Sequence, residues 1–292
     1  MKKRLITGVL LVGALLFIAY VLPPLGVLLI LAAVAAVGQL EFYALMNRAG
    51  IPVFRFMGLT YGTLLILGTG LAVGPLSYLG IHADRWEQVV LFAALMTILV
   101  RQFPQKHNLA PLQTMGCTLL GIWYVPYLFN YFTRLVFIAQ PSWGTEPLGA
   151  TGRSVGLYVL LVVKMGDVGA YFTGSRYGKH KLFPRISPNK TWEGFTGGIV
   201  AAAVSSVLFH VLVGGCLGVF RLTGWDAVIL GLVLGCAGVL GDLFESLVKR
   251  ASGVKDSGEI VPGMGGILDI IDSLLFGLPL LYAYLLLFVD GA

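Results

Sequence analysis

The sequence predicts an all-α polytopic membrane protein of about nine transmembrane helices with a cytoplasmic N-terminus, and three observations point to it. First, 57% of its 292 residues are hydrophobic, only 12% are charged, and the mean hydropathy is +0.87. A soluble domain carries about 45–50% apolar and about 25% charged residues, so this balance excludes an ordinary soluble protein, a disordered chain and a secreted disulfide scaffold. Second, the apolar runs are long and unbroken, matching the about 20 residues a helix needs to cross a bilayer. A transmembrane barrel would show roughly ten-residue alternating segments instead. Third, Lys and Arg sit between the runs, and unequally on the two sides.

Taken in order, the first span covers residues 5–22, preceded by Met1-Lys2-Lys3-Arg4. Such a start resembles a signal peptide, but the run is too long for a typical apolar core and more spans follow, so an uncleaved helix is expected. Pro23-Pro24 makes a tight turn into the second span, 25–46. The third and fourth cover 56–79 and 86–103. The fifth, 112–139, is long, with Pro126 placed to kink it. The remaining four cover 155–175, 195–220, 226–248 and 267–289. The segments between spans are too short for a separate soluble domain. The expected organisation is one integral membrane unit, with five spans in residues 1–150 and four spans with cytoplasmic loops in residues 151–292. Gly70 with Gly74, and Gly231 with Gly235, have the spacing of close helix contacts. Cys117, Cys216 and Cys236 lie in apolar stretches without metal-ligand spacing and are expected to pack between helices.

With the N-terminus inside, fifteen of the twenty Lys and Arg residues fall on the cytoplasmic side and four outside, with Lys164 inside a span. This bias fixes the expected orientation. The formal net charge of +6 is thereby read as topological, and no nucleic-acid partner is expected.

Ionisable residues within spans collect in the second half: Lys164 and Asp167, Asp242 and Glu245, Asp269 and Asp272. Each costs roughly 2.5–3.5 kcal/mol at mid-bilayer, so an intramembrane ionisable group reads as functional. In the expected topology these carboxylates lie toward the cytoplasmic face at similar depth. Asp242, Glu245, Ser246 and Lys249 form one stripe of a helix, and Asp269 and Asp272 share a face of the next. Three readings fit the pattern: a divalent cation on oxygen ligands, ion pairs with Lys164 and Lys249, or a proton or ion pathway.

Two cytoplasmic loops, 174–194 and 249–266, combine Lys, Arg and Gly. Lys and Arg supply charge to a phosphate, and glycines let backbone N–H groups form an anion-binding concavity. Contact with anionic lipid is the alternative. Carboxylates for a metal beside bases for a polyphosphate suit phosphoryl or nucleotidyl transfer. None of the four histidines has ligand spacing, and none is assigned to catalysis.

These residues resemble the bacterial CDP-diacylglycerol synthase (phosphatidate cytidylyltransferase) family. One matching segment runs from Asp167 to Gly194 and includes Ile186-Ser187-Pro188, Lys190-Thr191 and Glu193-Gly194. The other contains Gly241-Asp242, Glu245-Ser246, Lys249-Arg250, Lys255-Asp256, Pro262-Gly263, Gly265-Gly266 and Asp269. The second matches the family signature in order and spacing. Together they cover about the C-terminal 40% of the chain. The resemblance implies a multi-helix enzyme of the bacterial inner (cytoplasmic) membrane, a homodimer, with its active site facing the cytoplasm. It implies that Asp242 and Asp269 hold Mg²⁺, with K⁺ a candidate second cation. The expected catalytic set is Asp242, Asp269, Lys249, Arg250 and Lys255. The expected substrate-binding set is Asp167, Ser187, Lys190, Thr191, Glu193, Asp256, Gly265 and Gly266.

The signature departs at two polar positions. Met264 stands where the family has His, and Ile270 where it has Arg. Neither Met nor Ile can hold a phosphate or move a proton. The expectation is a variant metal-dependent enzyme that converts CTP and phosphatidate in the bilayer to CDP-diacylglycerol and pyrophosphate. A paralogue of lowered or redirected activity and a secondary transporter are the alternatives. A transporter predicts paired broken helices in two related halves, whereas the in-span acids, Glu41 and Glu87 apart, lie in the second half.

Overall fold

The computed structural model describes residues 21–73, 82–104, 108–138, 152–218, 220–254, 257–258 and 265–289. Its helices are α1 (Pro24–Arg48), α2 (Arg55–Val73), α3 (Ala83–Gln102), α4 (Pro111–Ile122), α5 (Leu128–Phe137), α6 (Gly152–Tyr177), α7 (Trp192–Leu212), α8 (Gly224–Ala251) and α9 (Leu268–Phe288). Among the described residues, α1, α2, α6, α7, α8 and α9 are long and apolar enough to cross a membrane. The expected first span lies outside the described residues. Helix α3 has the length but carries Asp84, Arg85, Glu87 and Arg101. The expected fifth span is divided between α4 and α5 by a π-helical turn, Trp123–Tyr127, that contains Pro126. Proline lacks the N–H that would continue the ladder, which accounts for the break there.

The chain forms two compact units: Met1–Arg134 with Val248–Ile271, and Leu135–Leu247 with Asp272–Ala292. In the first, Tyr43 of α1 is wedged against α2 and α4. A Cβ on Gly58 or Gly121 would strike its ring, so both neighbours are glycine where the ring passes. Its hydroxyl donates to the carbonyl of Thr118 at 2.8 Å. Gln39, one turn earlier, donates to Gly58 O at 3.0 Å. In an apolar interior such groups stay only if their hydrogen bonds are made.

The acids of α3 are met within the same unit. Glu87 Oε1 accepts from Arg134 Nε at 2.7 Å, Asn130 Nδ2 at 2.6 Å and Thr69 Oγ1 at 3.1 Å. Arg134 also pairs with Asp84 at 2.5 Å. A buried charge persists when it is paired and hydrogen-bonded, which is how this less apolar helix stays packed against α2.

In the second unit α6 and α7 pack closely through small residues. A Cβ on Gly169 would overlap the Cβ of Ala201. Gly231 and Gly235 of α8 meet Ala203, Ala202 and Ile199 of α7, as their spacing predicts. Gly74 of the other expected pair lies outside the described residues. Between α6 and α7 an antiparallel hairpin pairs β1 (Lys181–Phe183) with β2 (Ser187–Thr191). A second short hairpin pairs β3 (Cys216–Leu217) with β4 (Phe220–Arg221). This corrects one expectation: Cys216 lies on a strand rather than between helices, because Gly214, Gly215 and Gly218 take positive φ and turn the chain there.

Candidate active site

In the second unit the site is built where α8 runs against α9. A Cβ on Gly241 would overlap the carbonyl oxygen of Asp272, so only glycine admits this approach. The close crossing brings Asp242 and Glu245, one turn apart on α8, beside Asp272. A carboxylate oxygen from each lies within 4.8 Å of the others. Glu245 and Asp272 are buried. Lys190, at the end of the β1–β2 hairpin, reaches Asp242 Oδ2 at 2.8 Å and the carbonyl of Val239 at 3.3 Å. Ser246 donates to Asp242 Oδ1 at 3.3 Å. Three hard oxygen donors around one point, beside the Lys190 ammonium, match the ligand preference of a divalent cation such as Mg²⁺.

Gly241→Ala is expected to force α8 and α9 apart, at an overpacking cost of about 1–3 kcal/mol. The variant should melt at a lower temperature and lose turnover together, as a thermal melt and an activity assay on one preparation will show. A fully active, unshifted protein removes the crossing from the account.

Neighbouring acids are committed locally. Asp167 Oδ2 receives Lys164 Nζ at 3.1 Å and Ser273 Oγ at 3.1 Å, and Lys164 Nζ also donates to Ser273 Oγ at 2.8 Å. The expected pairing of Lys164 with Asp167 on one helix face is thus present. Half-exposed ion pairs contribute about 0.2–1 kcal/mol. Lys164→Met should therefore lower the melting temperature by roughly 1–3 °C and leave the CTP KM within about threefold of wild type. An unchanged melt with a greatly raised KM would show that Lys164 binds nucleotide instead.

The hairpin residues divide their roles. Thr191 caps α7, its Oγ1 accepting from Gly194 N at 3.1 Å. Glu193 accepts the backbone N–H groups of Lys179 and His180, and pairs with the His180 ring at 2.7 Å. Ser187 opens β2 opposite Phe183. Lys190 is thus the hairpin residue whose described contacts reach the carboxylate cluster.

In the first unit Asp269 occupies the opening turn of α9. Its Oδ1 pairs with Lys249 Nζ at 2.7 Å. Its Oδ2 accepts from Gly266 N at 2.7 Å, Ser257 Oγ at 2.8 Å and Ser257 N at 3.0 Å. Gly265 has φ +96°, and a Cβ there would run into Asp269 Oδ2, so glycine is needed both for the backbone and for the space. Arg250 donates to the carbonyl of Val254 at 3.4 Å. Ile270 is half-buried in the first turn of α9. Lys255, Asp256 and Met264 lie outside the described residues.

The two expected metal carboxylates therefore stand in different surroundings. Asp242 belongs to the three-carboxylate group of the second unit, and Asp269 to the Lys249–Ser257–Gly266 cradle of the first. Glu245 and Asp272, in-span acids by sequence, belong to neither expected site set, and the structure adds them to Asp242. Spacing of one turn links Glu245 to Asp242, whereas Asp272 joins them only through the crossing at Gly241, which local spacing does not announce.

Comparison with known proteins agrees with the signature residues. A profile of the cytidylyltransferase family matches residues 2–288. The chain is 35% identical over 292 residues to the phosphatidate cytidylyltransferase of Bacillus subtilis (strain 168), covering 99% of this chain and 98% of the relative. It is 33% identical over 307 residues to the phosphatidate cytidylyltransferase of Haemophilus influenzae, covering 99% of each. The protein of the same name from Staphylococcus aureus (strain COL) is 35% identical over 287 residues, covering 96% of this chain and 97% of that one.

Proposed function

Because the chain belongs to the cytidylyltransferase family, we propose that it converts CTP and phosphatidate to CDP-diacylglycerol and pyrophosphate. The observation that carries this reading is Lys190 set against Asp242 in a group of three carboxylates, on a chain whose relatives bear that activity as their name. A phosphate oxygen of phosphatidate attacks the α-phosphorus of CTP. A new P–O bond forms, the bond to the β-phosphate breaks, and the electron pair leaves with pyrophosphate. The nucleophile is already ionised at neutral pH, so no strong general base is required. The barrier comes largely from bringing one anion to another.

Residues of this chain lower that barrier by charge and position. Lys190, Lys249, Arg250 and Lys255 are proposed to hold phosphate oxygens, and Asp167, Ser187, Thr191, Glu193, Asp256, Gly265 and Gly266 are proposed as substrate-binding residues. Asp242, with Glu245 and Asp272, is proposed to hold Mg²⁺, which when bound supplies positive charge to the polyphosphate. Asp269 is retained as a second candidate metal carboxylate. Its cradle also supports a role in holding Lys249 toward the substrate.

In this reading residues 151–292 carry most of the chemistry and residues 1–150 supply further spans of a nine-helix protein. The N-terminus and the active site face the cytoplasm of a bacterial inner membrane. The positive charges of the loops support that orientation, and a homodimer is part of the proposal. Purified protein given labelled CTP, phosphatidate and Mg²⁺ should form lipid-linked CMP. Its absence under conditions in which a relative is active removes the assignment.

A further inference from the structure

Glu41 is an in-span acid of the N-terminal half, and the proposed chemistry does not use it. We propose that it is a positioning residue for the reaction. Its carboxylate fixes the start of α9 and, through it, the Asp269–Lys249 pair. The inference rests on the reading that these two residues serve the substrate.

The geometry is that of a helix cap supplied from far away. Glu41 Oε1 accepts from Ile267 N at 3.0 Å, and Oε2 accepts from Leu268 N at 2.7 Å. Leu268 is the first residue of α9, so these are among the backbone donors that a helix start leaves unmet. A local Ser, Thr, Asp or Asn usually meets them. Here the residue before α9 is Ile267, and the acceptor comes from α1, more than two hundred positions earlier. Negative charge at this end also complements the helix dipole.

The fit around the carboxylate is specific. A Cβ on Gly266 would run into Ser257 Oγ and both oxygens of Glu41, and a Cβ on Gly258 would approach Oε1 to 2.6 Å. Two glycines thus make room for one buried acid. Ser257 stands between two carboxylates, with Oγ 3.3 Å from Glu41 Oε2 and 2.8 Å from Asp269 Oδ2. A hydroxyl has one hydrogen to give, and the shorter contact takes it to Asp269. Glu41 therefore borders the cradle of Asp269 on one side and holds its backbone on the other.

Glu41→Gln keeps the shape and removes the charge. In the full-length protein it should raise amide hydrogen exchange at residues 267 and 268 by tenfold or more. It should lower kcat by about 10–100-fold, leave the CTP KM within about threefold, and shift the melting temperature by no more than a few degrees. Gly266→Ala should likewise lower kcat and raise exchange at residues 267 and 268. The double variant should be no worse than the poorer single, because both remove the same contact. Gly258→Ala approaches the carboxylate from another direction and serves if Glu41→Gln is not recovered folded. Wild-type kcat in folded Glu41→Gln, or unchanged exchange at residues 267 and 268, overturns the proposal. If the unmodified protein itself makes no lipid-linked CMP, the functional reading fails, and exchange alone then decides whether Glu41 anchors α9.

Discussion

Asp242→Asn and Asp269→Asn are each expected to lower turnover by about 10²–10⁴-fold while the protein remains folded. The magnitude follows from losing one or two hydrogen bonds to a charged group, at about 1.5–3 kcal/mol each, in a step where tenfold in rate is about 1.4 kcal/mol. At Asp242 the change removes the partner of Lys190, 2.8 Å away, and one of three clustered carboxylates. At Asp269 an amide leaves one acceptor oxygen where the carboxylate presents two. Asp269 meets Lys249 on one oxygen and three donors on the other, so the amide nitrogen must face a donor whichever way it turns. The check is the labelled-CTP assay on purified variants, with a thermal melt to show folding. Near wild-type activity in either variant takes that residue out of the site.

The second large effect is a gain. Native activity is expected to be weak, and Met264→His combined with Ile270→Arg is expected to raise it by roughly 10²–10⁴-fold if both new groups act on phosphate or on the site carboxylates. Ile270 stands next to Asp269 in the first turn of α9, so an arginine there lies close to the Lys249–Asp269 pair. The single changes should help less, since each restores part of a shared network, and additivity is not expected for neighbours. The measurement is kcat/KM for CTP in the four proteins. No gain in the double variant, with a native rate already equal to that of the relatives, shows that both positions are dispensable in this chain.

The elements that the sequence reveals well are those set by local composition. Helices α1, α2 and α6–α9 correspond to apolar runs whose length alone names them. The acids of α8 and α9 are legible because one-turn spacing puts Asp242 beside Glu245, and Asp269 beside Asp272, before any tertiary contact is known. The pairing of Lys164 with Asp167 is legible for the same reason. What escapes is what depends on a distant partner. Glu41 looks like an isolated acid in an apolar helix, and its donors are the backbone of another helix, which leave no side-chain signature. The grouping of Asp272 with Asp242 requires the bare contact at Gly241. Lys190 reads as one base among many in a loop until the β1–β2 hairpin directs it to Asp242. Helix α3 is legible as an apolar run, but how it keeps its acids shows only when Arg134 and Asn130 are seen to answer Glu87.

The cap on α9 also bears on the order in which the protein can be completed during synthesis. Glu41 and Leu268 are 227 positions apart, and at about 5–20 residues per second the ribosome needs roughly 10–45 s to make the stretch between them. Throughout that interval α1 carries an acid whose backbone donors do not yet exist, in a segment apolar enough to enter the bilayer. An ionised side chain at mid-bilayer costs about 2.5–3.5 kcal/mol on the insertion scale, a cost that hydrogen-bond donors offset once they are in place. Maturation of the earliest helices thus waits for the last one, whose start brings the backbone donors that Glu41 accepts from. A premature stop before Ile267 removes more than the final span: it strands an acid in α1 and weakens the part of the protein already made.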